Sequence, residues 1–92
     1  MELFGLFKSE EEKFRSKVRA CFDESVDKLF KEKGDAVKNP LFGGLLIKTA
    51  IGAVYQSMIN DPGLHLLALK LNFDPIKIVE EECNRALSKY LE

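Results

Sequence analysis

"NPLFGGLLIKTAIGAVYQSMIND", residues 39–61, is the longest apolar run in the chain, and its reading decides the fold. It could be a membrane span, a phosphate-binding glycine loop, or a packed helix in a small domain. At the helical period Ile47, Ile51, Val54 and Met58 form a bulky apolar face, while Lys48, Gly52 and Gln56 line the opposite side. A span needs about 20 mostly apolar residues and would here hold Lys48 near the bilayer centre, at a cost of about 2.5 to 3.5 kcal/mol. Gln56 on the same side adds to that cost. Gly43-Gly44 lacks both the GxxxxGKS/T spacing and a GxGxxG following a strand. Two early glycines followed by Ala50, Ala53 and Ser57 make instead a small-residue surface on which another helix can pack closely. The stretch is therefore expected to be a central, largely buried helix over residues 40 to about 60.

Three Asx-Pro pairs, Asn39-Pro40, Asp61-Pro62 and Asp74-Pro75, each set a capping side chain before a proline that needs no N–H in the first helical turn. Ser9 with Glu12 three residues later has the pattern of a reciprocal capping box. Four starts predict four helices. The first spans residues 9–33, with Phe14, Val18, Cys21, Phe22, Val26 and Leu29 on one face and Gly34 as a left-handed stop. The third is short, residues 63–71. The fourth, residues 75–91, gathers Ile76, Val79, Cys83, Ala86, Leu87 and Tyr90 on one face, which sets Ile78 outward. The expected fold is a single all-α domain over residues 1–92. In this four-helix bundle Phe14, Phe22, Ile47, Ile51, Val54, Val79 and Cys83 form the core.

The balance of 14 basic and 15 acidic groups gives no broad attraction for nucleic acid or anionic lipid. Cys21 and Cys83 are too few for a disulfide framework, no CxxC occurs, and both are expected to be free, buried and slow to react. The start, MELFGLFKSEEE, has neither the basic region nor the long apolar region of a signal peptide, so a cytoplasmic location is expected.

Chemistry-bearing patterns are sparse. His65 has no Cys, Glu or Asp at metal-ligand spacing, which points to a structural or surface histidine. Glu80, Glu81 and Glu82 diverge by about 100° per residue, so Glu81 and Glu82 are expected on a solvated face rather than in an acid cluster. No catalytic residue, metal ligand or cofactor is assigned. The stretch LALKLNFDPIKI partly fits a helix-turn-helix, with Ala68, Asn72 and Ile78 at suitable positions. Glu81 breaks the fit where a further core residue belongs, and the second helix would offer phosphates only Lys77, Arg85 and Lys89.

The third helix, GLHLLALKL, is leucine-rich nearly all round: Leu64, Leu67 and Leu71 share one side, while Leu66 and Leu69 face elsewhere. A short helix that is apolar on every side is either central or meets a partner. Leu66, Leu69 and Ile78 are therefore the expected interaction surface of a non-enzymatic regulatory module, in its simplest form a twofold homodimer. Phe4, Leu6 and Phe7 could cover these leucines within the chain instead. They could also touch a membrane surface, although acidic residues 10–12 would be repelled by anionic headgroups. A divergent DNA-binding protein is the alternative function. An enzyme whose site is assembled only in three dimensions is the third.

Overall fold

The computed structural model describes residues 9–91 of the 92-residue protein. Four helices follow in order: α1, Glu10–Val37; α2, Gly43–Ile59; α3, Pro62–Ala68; and α4, Pro75–Leu91. Among the described residues there is no strand. The fold is all-α with one short helix, as the four start signals predict. The long helices α1, α2 and α4 each pack on the other two, while α3 rests on α4 and, more lightly, on α2.

The capping side chains make the bonds their positions require. Ser9 Oγ accepts from the Glu12 N–H at 3.1 Å, Asp61 Oδ1 from the Gly63 N–H at 2.9 Å, and Asp74 Oδ1 from the Ile76 N–H at 3.0 Å. Each satisfies a backbone donor that the first helical turn leaves open. Asn39 also caps, accepting from the Leu41 and Phe42 N–H groups at 2.7 and 3.2 Å. Here, however, residues 40–42 form a turn, and regular helix begins at Gly43 rather than at Pro40. At that position the chain passes so close to the Val37 carbonyl that no side chain would fit, and glycine stands there.

Gly34 is not the expected left-handed stop. No described residue has a positive φ, and α1 continues to Val37 past an irregularity at Lys33, where φ is −136° and ψ is 40°. The extra turn carries Val37 into the core, and the Lys38 N–H closes it by donating to the Gly34 carbonyl at 3.1 Å. Burial of one more valine outweighs the glycine signal here.

Val18, Phe22, Val26 and Val37 of α1, Ile47 and Ile51 of α2, and Val79 and Ala86 of α4 form the buried core. Of the expected core residues Phe22, Ile47, Ile51 and Val79 are buried, and Phe14, Val54 and Cys83 pack partly buried against them. Phe14 also meets Phe73 with ring centroids 6.0 Å apart, which ties the start of α1 to the α3–α4 turn. The residues buried on α4 are Pro75, Ile78, Val79, Glu82 and Ala86, a broader arc than the apolar pattern alone defines. Two of them, Ile78 and Glu82, correct the sequence expectation. α4 packs against α1, α2 and α3, so a wide sector of its surface is covered.

Candidate interaction surface

Aspartate at the start and leucine throughout place α3 as a short brace with apolar side chains left over. Leu64 turns inward and packs against the core. Leu66 and Leu69 turn outward and are 62% and 83% exposed. Ile78, expected beside them, is 3% exposed and so contributes nothing to an outer surface. The surface that sequence assigned to three residues therefore keeps two, Leu66 and Leu69. Phe4, Leu6 and Phe7 lie outside the described residues.

A groove opens between α1 and α3, because α3 braces against α2 and α4 but not against α1; Leu64, Leu67 and Leu71 line it, and Leu66 and Leu69 do not. At one end Leu67, Leu71 and Phe73 face Lys13, Phe14 and Lys17 around a depression of about 220 Å3. Phe14 and Lys17 are shared with a second, more apolar hollow of about 200 Å3, lined also by Val18, Cys21, Met58 and Leu64. Cys21 and Met58 in turn border a shallow trough along Ala50, Ala53 and Ser57. The small-residue strip of α2 thus borders an open trough rather than an intramolecular helix contact. Cys21 on its rim is exposed, contrary to the expectation of two buried thiols, while Cys83 is half-buried and burial pushes its pKa up.

The most organised polar cluster is one that sequence reading placed in solvent. Glu82 has a side chain only 2% exposed and accepts from Arg19 Nε and Nη2 at 2.8 and 3.0 Å, from Arg15 Nη1 at 3.0 Å and from Arg85 Nε at 2.6 Å. Arg15 also donates to Glu81 at 2.7 Å, and Arg85 and the Tyr90 hydroxyl donate to Asp23 at 3.1 and 2.9 Å. The hydrogen bond from Arg19, helped by those from Arg85 and Arg15, outweighs burial and holds the Glu82 carboxyl at about 2, below its ordinary value of 4.5. Four N–H donors saturate its oxygens. A carboxylate so held is a poor proton acceptor, and it serves to lock α1 to α4.

His65 Nε2 lies 2.6 Å from the Ile59 carbonyl oxygen, so the ring donates to backbone and ties α3 to the end of α2. Among the described residues no group of three or more His, Cys, Asp or Glu side chains is arranged to hold a metal ion. No described helix is long and apolar enough to cross a membrane. The burial of Ile78 is what a helix-turn-helix asks of that position. The outer side of α4 nevertheless presents Glu80 and Glu81 beside Lys77, and Arg15 holds Glu81. The charges on that face cancel, so it offers DNA phosphates no cationic excess.

Compared with known proteins, the chain matches no family model, no curated protein and no solved structure.

Proposed function

We propose that the chain is a non-enzymatic interaction module that offers the exposed leucines of α3 and the adjoining groove to a protein surface, in its simplest form a second copy of itself about a twofold axis. The exposure of Leu66 on a seven-residue helix and of Leu69 immediately after it carries this reading. Leucine is among the least favourable residues to leave in water, and Leu64 and His65 already tie α3 to the rest of the fold without Leu66 or Leu69. Two leucines cannot supply the roughly 1,200 to 2,000 Å2 of a standard interface, so the partner must enter the groove as well. The half-buried Cys83 and the exposed, unpaired Cys21 suit a reducing compartment such as the cytoplasm.

Sedimentation at micromolar concentration tests the proposal. The wild type should run as a dimer, and Leu69→Lys should run as a monomer with unchanged helicity and melting temperature, since lysine is a good helix former at an exposed position. A wild type that stays monomeric at high concentration would exclude the homodimer. If Leu69→Lys then lowered the melting temperature, and deletion of residues 1–7 did the same, the leucines would be covered within the chain. Salt-dependent retention on heparin would favour the DNA-binding alternative instead.

A further inference from the structure

A second exposed apolar patch lies at the corner between α1 and α2, away from α3. Leu41, Phe42 and Leu45 are 80%, 56% and 61% exposed, and they stand at the tip of the turn and in the first helical turn that follows. Leu91, at the end of α4, lies beside them, 3.8 Å from where a Cβ on Gly44 would be. None of these side chains is needed to fill the core.

The two chain segments that form this corner carry charge of opposite sign to the chain as a whole. Residues 31–48 contain Lys31, Lys33, Lys38 and Lys48 against only Glu32 and Asp35, an excess of two positive charges in a chain whose total is −1. Lys38 immediately precedes the turn, and Lys48 stands one helical turn beyond Leu45. The acidic triplet at residues 10–12 sits at the opposite end of α1, about 40 Å away along a 28-residue helix. Charges so distant are screened at physiological salt, where the Debye length is about 8 Å. A surface approaching the corner therefore meets the local cationic excess rather than the overall negative charge.

Apolar side chains at a tip with lysines behind them match the order of layers in an anionic membrane surface, where acyl chains lie beneath negative headgroups. We infer that the α1–α2 corner docks on an anionic lipid surface, with Leu41, Phe42 and Leu45 entering the headgroup–acyl boundary and Lys38 and Lys48 meeting the headgroups. This contact is peripheral and leaves the α3 leucines free, so it is independent of the interaction proposed for them.

The chain contains no tryptophan, which permits a direct test. Phe42→Trp and Leu69→Trp each introduce one indole reporter, and both proteins are mixed with vesicles of phosphatidylcholine alone or with phosphatidylserine added. The Phe42→Trp emission should shift to the blue and be quenched by brominated acyl chains only when phosphatidylserine is present, while Leu69→Trp should stay unshifted. The double substitution Lys38→Glu with Lys48→Glu should weaken partitioning at least about tenfold, and Lys38→Gln with Lys48→Gln by less. Leu41→Asp should also weaken it, with helicity by circular dichroism unchanged because the side chain is exposed. Absence of binding to either vesicle, equal binding to both, a shift at Leu69→Trp in place of Phe42→Trp, or blocking of the Phe42→Trp reporter by self-association at the corner would each overturn the inference.

Discussion

Arg15 and Glu82 stand 67 residues apart in sequence, yet their side chains meet at 3.0 Å, where the first helix crosses the last. The carboxylate is buried, while Arg15, Arg19 and Arg85 each keep part of their guanidinium in water. This one-sided burial makes the acid the keystone: removing it leaves Arg15 with Glu81 and Arg85 with Asp23, but takes from Arg19 the carboxylate it donates to and breaks the link between α1 and α4 at its centre. Glu82→Ala should destabilise the protein by about 2 to 3 kcal/mol, less than a fully buried pair would cost because the arginines can hydrate. For a domain of this size the melting temperature should fall by about 10 °C or more, read by circular dichroism.

The same carboxyl sets a dependence on acid. Its folded pKa of about 2 lies below the ordinary 4.5, so its contribution is complete above about pH 4.5 and is lost as pH falls towards 2. Asp23 acts in the same direction: partial burial works against its ionisation, but hydrogen bonds from Arg85 and Tyr90 outweigh it and lower its pKa. Melting temperature should therefore drop steeply through this acid range, with up to about 3 kcal/mol at stake for Glu82. Glu82→Gln should be less stable at neutral pH and show a flatter acid limb. A wild-type limb no steeper than that of Glu82→Gln would contradict the burial and pairing described.

Two glycines of α2 should respond in opposite ways to alanine. Gly43→Ala drives a methyl group into the Val37 carbonyl and should cost more than about 3 kcal/mol or displace the turn. Gly52 has open space where a Cβ would go, so Gly52→Ala should stabilise by about 0.5 to 1 kcal/mol through helix propensity. Urea denaturation of both variants measures the contrast.

The thiols should label in two phases. Cys21 is exposed and should react with a disulfide reagent at a rate close to that of the unfolded chain, whereas Cys83 is half-buried with a raised pKa and should lag well behind. Blocking Cys21 with a bulky adduct should also disturb association if the groove is part of the interface, because that side chain lies on its rim.

The helices were legible because capping chemistry is local: Asp61 and Asp74 need only the next three residues to do their work. Placement of Ile78 and Glu82 was not, because an apolar moment marks only the centre of a buried arc and says nothing of its width. A signal for Glu82 was nonetheless present. Val79, Glu82 and Ala86 follow the three-then-four spacing of a helix seam, and Arg15, Arg19 and Asp23 repeat every fourth residue on α1 beside its apolar stripe. A lone acid in one seam facing two arginines in another is the pattern of an interhelical ion cluster. Cys21 was misplaced for the opposite reason. It borders the apolar face of α1 where no neighbouring helix happens to cover it, and only the tertiary arrangement decides that.

The irregular backbone at Lys33 also alters where the protein can bend. Beyond it, the Lys38 N–H is bonded to Gly34, the Asn39 N–H to Ala36 and the Gly43 N–H to Asn39, while Gly43 rests on Val37. Residues 34–43 are thus bolted to the start of α2 and travel with it. The one residue inside α1 that leaves helical geometry is Lys33, ahead of the visible turn at residues 38–42. A change in the angle between the two long helices is therefore expected to be taken up at Lys33, with the α1–α2 corner carried along by α2.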